Sequence, residues 1–441
     1  MKTNQKLIIT GGKPLKGEVT LCGAKNSGFK LMIASLYADG LSTIKNFSKI
    51  GDTFSTAEII KSLGGQVKFG QNHTVQVSGK NLQKNKIAER QGKLSRASTY
   101  FIGPFLYRFG KAILPNPGGC KIGRRPLDRH LEGIKALGAQ IRITDDYYEI
   151  TAKKLKGTKY IFPKNTHGGT DVMIISAILA KGKTILENAA QEPEVDDLIN
   201  FLNKMGAEIK RTEPRTIVIE GVSKLGSAEF SVMPDRNEAV TFACAALATK
   251  GDIFIKEASP KDLEEFLDQL DKVGGGYEIA KNGIRFFHKG RLTPCNILTH
   301  PHPGFMTDWM GVWSVLMTQA KGESVIHETI FENRFAFVNE LKKMGVKIEL
   351  FNPFVPEPET VYNFNLEDDR PEYFHAARIF GPVRLKATKI EIADVRAGAT
   401  LILASLAASG KSELEGVGLV DRGYENLDGR LKELGGNITR L

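Results

Sequence analysis

The chain has 441 residues, of which 41% are hydrophobic and 25% charged, and a formal net charge of +11. This length exceeds one ordinary hydrophobic core, and the balance is that of a globular protein, so disordered and fibrous classes are excluded and two domains are expected. Four cysteines (22, 120, 244 and 295) without a CxxC pair exclude a disulfide framework and a cysteine-based zinc site.

The opening Met1-Lys2-Thr3-Asn4-Gln5-Lys6-Leu7 has charge but no apolar core segment and is not expected to be a signal peptide. The longest apolar run, Val172 to Ala180, is too short to span a bilayer. A cytoplasmic protein is expected. The cations are scattered rather than gathered into a stripe with aromatics, and the only tryptophans are Trp309 and Trp313, so anionic small substrates suit the charge better than nucleic acid.

Along the chain, the first apolar helix follows Lys25-Asn26-Ser27 and gives way at Gly40 to strand residues and then a one-sided helix closed by Ser62-Leu63-Gly64-Gly65. The second signal returns as Leu137-Gly138, Met205-Gly206, Val273-Gly274, Met344-Gly345 and Leu434-Gly435. The first returns at Gly110, Gly182, Gly251, Gly322 and Gly410, at steps of 70, 72, 69, 71 and 88 residues. Two markers keeping one step indicate an internal repeat. Each copy reads as βαβαββ: an apolar helix such as Ala239–Leu247 or Leu401–Ala407, expected to end at a C′ glycine, then a strand, an amphipathic helix (Leu198, Phe201, Leu202 and Met205 on one face) and two further strands. Helices apolar all round with alternating strands imply helices inside and sheets outside: a two-domain inside-out α/β barrel, three repeats per domain. The longer last step is assigned to a surface insertion near 351–383, rich in proline, acidic residues and aromatics.

In the second repeat lies Pro117-Gly118-Gly119-Cys120-Lys121-Ile122-Gly123-Arg124-Arg125-Pro126, a thiol between glycines and arginines. Nearby cations favour a thiolate, and glycines let backbone approach a ligand, so this is either a reactive loop or a mobile loop with an incidental cysteine. The same end of each apolar helix is polar: Lys25-Asn26-Ser27, Ser95-Arg96-Ala97-Ser98, Thr170-Asp171, Asp235-Arg236-Asn237-Glu238, Thr307-Asp308 and Asp394-Val395-Arg396. Taken singly, each is an N-cap or a solvated charge. If the helices run parallel, their N-termini converge, and two facing domains would aim about six ends, each about +0.5 of a charge, into one anion-binding cleft.

These residues also resemble a known family, the UDP-N-acetylglucosamine 1-carboxyvinyltransferases, from Leu7 to Leu441. The resemblance is carried by Gly23-Ala24-Lys25-Asn26, the Cys120 loop, Glu187-Asn188-Ala189-Ala190-Gln191-Glu192-Pro193-Glu194, Pro234-Asp235-Arg236 and His302-Pro303-Gly304-Phe305-Met306-Thr307-Asp308. Phe331-Glu332-Asn333-Arg334-Phe335, Asp394-Val395-Arg396 and Asp421-Arg422-Gly423-Tyr424 extend it. It implies an enolpyruvyl transferase fold with a first domain over 24–233 and a second over 1–23 and 234–441. It implies transfer of the enolpyruvyl group of phosphoenolpyruvate to the 3-hydroxyl of UDP-N-acetylglucosamine in peptidoglycan synthesis, without cofactor or metal. His300 and His302 would then shape a turn.

The resemblance places Lys25, Arg125 and Arg422 at the phosphate of phosphoenolpyruvate, with Lys25 also among the catalytic residues, Arg396 at its carboxylate end, Arg334 among its other contacts, and Asn26 near both substrates. Asp308 matches the general base, Cys120 a lid residue that protonates the methylene carbon of phosphoenolpyruvate or assists product release and is open to the epoxide fosfomycin, and Asp394 a second carboxylate for proton traffic. Arg96, Arg125, Pro126, Leu127, Asp128, Arg129, Lys164, Asn165, Thr166, His167 and Ile330, with Asn26 and Asp308, match the UDP-sugar contacts. Three positions depart from the family pattern: Met310, second after Asp308, His167 and Val395. They bear on nucleotide recognition rather than on the charged groups. The alternatives are 5-enolpyruvylshikimate-3-phosphate synthase and a catalytically silent paralogue.

Overall fold

The computed structural model of the chain describes residues 5–93, 96–116, 123 and 126–441. They form two compact units. One comprises residues 5–22, Gly123 and Pro234–Leu441; the other comprises the remaining described residues between Gly23 and Met233.

Each unit has its own hydrophobic core, and the two cores share no residue. The thirteen residues of helix Arg236–Ala248 are all buried, as an apolar face on every side requires. In the first unit it packs against helices Met310–Met317 and Val395–Ala407. The strands bury alternate residues, as in Asp252–Lys256, so each sheet lays one face on the helices and turns the other outward. Within each unit the arrangement is therefore inside-out α/β, with three sheets per unit.

The sheets repeat one topology. Lys159–Ile161 runs parallel to Lys183–Glu187 across the helix His167–Ala177; Thr216–Glu220 then pairs antiparallel with Lys183–Glu187, and Glu208–Glu213 with Thr216–Glu220. The local βαβαββ reading misses an exchange. Strand Lys16–Thr20 precedes the helix Lys25–Ala34 in sequence but pairs in parallel with Asp252–Lys256. The parallel partner of Ser42–Lys45 is instead Glu229–Ser231. The chain passes between units at Cys22–Gly23 and Met233–Pro234, so these two repeats are closed by strands remote in sequence.

Two further expectations are corrected. The C′ glycine expected after the apolar helices is found directly after only one of them among the described residues, at Gly110 with φ +66°. At Gly182, Gly322 and Gly410 the positive-φ glycine stands a few residues beyond the apolar helix, whereas the amphipathic helices are followed closely by one in all six copies: Gly64, Gly138, Gly206, Gly274, Gly345 and Gly435, with φ between +75° and +102°. These helices end on the surface, where a positive φ turns the chain into the next strand. The stretch 351–383 is not all insertion. Phe351 pairs with Ala376, and Ala376–Gly381 is a central strand, so the additional length lies within residues 352–375. Tyr362, Phe364 and His375 of that segment stack on one another with ring centroids 4.8–5.1 Å apart and are buried. No helix among the described residues is long and apolar enough to cross a membrane.

Candidate active site

In the first unit, a buried aromatic cluster sets the position of Asp308. Trp309 and Trp313 meet Phe305 and Phe266 edge to face, with centroids 5.5–6.1 Å apart, and Trp309 Nε1 donates to Asn237 Oδ1 at 3.0 Å. With Trp309 anchored, the preceding carboxylate meets two guanidinium groups. Arg334 Nη2 donates to Asp308 Oδ1 at 2.9 Å and Arg396 Nη2 to Oδ2 at 3.1 Å.

Arg396 stands in the first turn of helix Val395–Ala407, whose N-cap is Asp394; Asp394 Oδ1 accepts from Arg396 N at 2.9 Å and Ala397 N at 3.0 Å. The same oxygen lies 3.9 Å from Arg334 Nη1. Arg334, Asp394 and Arg396 line a cleft with Met310, Phe337 and Thr400. Arg396 Nη1 is buried with no hydrogen-bond partner, and a buried unmet donor on a cation is what an incoming oxyanion would satisfy. The Arg396 guanidinium also lies 5.3 Å from the Tyr424 ring centroid. Ile330 is shaped from below by the buried Glu328, whose Oε1 accepts from Ile330 N at 2.8 Å and Phe331 N at 3.0 Å; burial pushes the Glu328 carboxyl up. Arg422 closes the short helix Val417–Arg422 and is half-buried.

In the second unit, Lys25 and Asn26 open the helix Lys25–Ala34, and Lys25 Nζ lies 3.1 Å from the buried Asp52. Ser27 donates to Asp197. Burial pushes the Asp197 carboxyl up to about 6, against the Ser27 hydroxyl and the Met233 N–H that favour its charged form. Since the ordinary value is 3.8, the folded carboxyl holds its proton more tightly than the unfolded one, so this stability is full below about pH 4 and lost as pH rises through about 6. Asp197→Asn is expected to flatten that decline, read as the Tm difference between pH 4.5 and 7.5 in variant and parent; equal declines would refute it.

Arg96 opens the 3-10 helix Arg96–Phe101, and Leu127 is the N-cap of helix Asp128–Ala136 just after Pro126. Arg129 Nη1 donates to Asn165 O at 3.4 Å, which joins two of the segments expected at the nucleotide sugar. Thr166 caps helix His167–Ala177 by accepting from Gly169 N at 3.2 Å, and Lys164 is half-buried just before. The helix thus begins earlier than expected. Thr170 and Asp171, read as its polar end, sit one turn inside and are buried, and Asp171 pairs with Lys30. Cys120 and Arg125 lie outside the described residues.

The structure therefore gathers Asp308, Asp394, Arg334 and Arg396 in one unit, and Arg129 with Asn165 in the other. Sequence reading missed Glu328, Asp52 and Lys30. Lys30 left a signal, a lysine inside the apolar run Phe29–Ala34, and this marks a buried charge with a partner.

A family model described as EPSP synthase (3-phosphoshikimate 1-carboxyvinyltransferase) matches residues 9–431. Among solved structures, the enolpyruvyl transferase NikO from Streptomyces tendae superposes with a TM-score of 0.87 at 23% identity, covering 99% of each chain. An EPSP synthase from Acinetobacter baumannii superposes with a TM-score of 0.70 at 19% identity, covering all of both chains. The fold is that of the enolpyruvyl transferases. A relative from Trichlorobacter lovleyi named UDP-N-acetylglucosamine 1-carboxyvinyltransferase is 41% identical over 99% of both chains, and one from Caldanaerobacter subterraneus named UDP-N-acetylglucosamine 1-carboxyvinyltransferase 3 is 40% identical over 99% of both. The chain belongs to the UDP-N-acetylglucosamine 1-carboxyvinyltransferase family.

Proposed function

We propose that this protein is a cytoplasmic transferase that moves the enolpyruvyl group of phosphoenolpyruvate to the 3-hydroxyl of UDP-N-acetylglucosamine, for peptidoglycan synthesis. The observation that carries this reading is the Asp308 carboxylate held between Arg334 and Arg396, in a chain 41% identical from end to end to a relative so named.

The 3-hydroxyl oxygen bonds to C2 of phosphoenolpyruvate while C3 takes a proton. The tetrahedral intermediate then breaks its C2–phosphate bond and loses a proton from C3, leaving an enolpyruvyl ether and inorganic phosphate. Asp308 is the base for the hydroxyl proton. Its two oxygens are engaged by the guanidinium groups that the phosphoenolpyruvate carboxylate would claim, so substrate binding itself releases the base. Arg334 and Arg396 take the carboxylate; Lys25, Arg125 and Arg422 hold the phosphate and oppose its charge as it leaves. Asp394, already an N-cap, supports proton traffic at C3, where Cys120 is the acid. Asn26, Arg96, Pro126, Leu127, Asp128, Arg129, Lys164, Asn165, Thr166, His167 and Ile330 hold the UDP-sugar.

The direct test is phosphate release from phosphoenolpyruvate. Release that requires UDP-N-acetylglucosamine and is not supported by shikimate 3-phosphate is the expected result; the reverse preference overturns the reading, and no release with either acceptor marks a silent chain. Fosfomycin is expected to alkylate Cys120, with Cys120→Asp remaining active and resistant. Burial pushes the thiols of Cys22 and Cys244 up, and Cys295 donates to Gln269 Oε1 at 3.3 Å, so these three should remain unlabelled on peptide mass mapping.

A further inference from the structure

The second unit buries two ionisable groups, Lys30 and Asp171, that have no role in the reaction above, and sets them beside His167. Lys30, 1% exposed in the middle of helix Lys25–Ala34, places its ammonium against Asp171 Oδ2 and 2.7 Å from His167 Nε2. Asp171 is fully buried; its Oδ2 also lies 3.4 Å from His167 Nε2 and 3.5 Å from the Tyr100 hydroxyl. The Lys30 ammonium sits 5.9 Å from the Tyr100 ring centroid. Glu192 and Glu194 add negative potential at Asp171, and Lys30 in turn acts on Asp197. His130 Nε2 lies close against Gly168, the residue after His167, where a Cβ would come within 2.9 Å of it.

The chemistry of the three groups restricts their states. An ammonium has three donors and no acceptor, so the nitrogen 2.7 Å away must accept. His167 is then a neutral imidazole with its proton on Nδ1; burial pushes the Asp171 carboxyl up to about 7, and the adjacent Lys30 ammonium favours its charged form. Such a pair is an expensive way to fill a core, because apolar residues of similar size are often as stable or more so. The cost is understandable if the cluster orients a residue that acts elsewhere. His167 is that residue. Its side chain is 23% exposed, it opens the helix His167–Ala177, and it directly follows Lys164–Thr166.

We propose that Lys30 and Asp171 are positioning residues that lock His167 as the neutral Nδ1–H tautomer at the nucleotide-sugar site, so that His167 meets UDP-N-acetylglucosamine as a fixed hydrogen-bond donor. This rests on the reading that the UDP-sugar is the acceptor substrate. Positioning of this kind acts on substrate affinity and leaves the reacting groups untouched.

The test pairs kinetics with spectroscopy. Lys30→Met/Asp171→Leu removes both charges of the pair together, so neither partner is left as a lone buried ion. It is expected to raise KM for UDP-N-acetylglucosamine about tenfold, with kcat and KM for phosphoenolpyruvate within about twofold of the parent. His167→Ala should give a similar rise, and the triple variant no more than His167→Ala alone, because all act through one side chain. An unchanged KM for the sugar nucleotide in the double variant, or strictly additive effects in the triple, overturns the proposal. Should the double variant fail to fold, nitrogen-15 histidine spectra of the unaltered protein decide: the resonance lost in His167→Gln must show the Nδ1–H pattern, and an Nε2–H or doubly protonated pattern overturns it. Parent turnover with UDP-N-acetylglucosamine is measured first. Its absence refutes the substrate reading, whereas normal turnover with an unresponsive double variant refutes only the positioning role.

Discussion

Replacing Asp308 with asparagine is expected to lower kcat for phosphate release by about 10²–10⁴-fold, the range usual for loss of a general base. The amide keeps the shape and one acceptor for an arginine but cannot take the hydroxyl proton. It also removes the charge shared by the buried Arg334 and the largely buried Arg396. Two guanidinium groups no longer engaged by an ionised neighbour are freer to take a carboxylate, so KM for phosphoenolpyruvate should stay level or fall while kcat collapses. Steady-state phosphate release with each substrate varied in turn reads both constants. A D308N enzyme within tenfold of the parent kcat would remove Asp308 from the role of base.

Arg430→Met is expected to destabilise the first unit by about 3–5 kcal/mol, the usual consequence of leaving a buried carboxylate without its partner. Glu238 lies in the first turn of helix Arg236–Ala248 and is 2% exposed. Arg430 Nη1 lies 2.9 and 2.8 Å from its two oxygens, Nη2 donates to Thr20 O at 2.6 Å, and Cys22 N donates to Glu238 Oε2 at 3.1 Å. One ion pair thus ties the strand Lys16–Thr20, the buried helix and the last helix together. Burial raises the Glu238 carboxyl while Arg430 pulls it down. Without Arg430 the carboxyl gains a proton more readily in the folded state than in the unfolded one, so the deficit of the variant should shrink as pH falls towards 5 and grow above it. Urea unfolding at pH 5 and pH 8 measures this, and adding Glu238→Gln should recover part of the loss. A deficit below about 1 kcal/mol at both pH values would show that the pair is not what holds the strand.

Both predictions concern charges whose partners are remote in sequence. The βαβαββ repeat is legible because its signals are local: an apolar stretch, a glycine, an alternating strand, repeated about every 70 residues. Yet the pairing of Lys16–Thr20 with Asp252–Lys256 is not legible, because a strand carries no mark of which sheet will receive it. The N-cap reading of Asp394 is legible, since a cap is an interaction with the next two or three residues. The second engagement of Arg334, with Asp308, spans 26 positions and is invisible to any window of that size.

The sequence by itself determined which segments are buried, how they repeat, and which charged residues stand at helix ends, because periodicity and capping are short-range properties of the chain. Only the tertiary structure decided which of those charges meet. Asp308 and Arg396 are 88 residues apart, Lys30 and His167 are 137 apart, and Glu238 and Arg430 are 192 apart. Burial makes such meetings obligatory, since a charge removed from water must find its counterpart in space, wherever that counterpart lies along the chain.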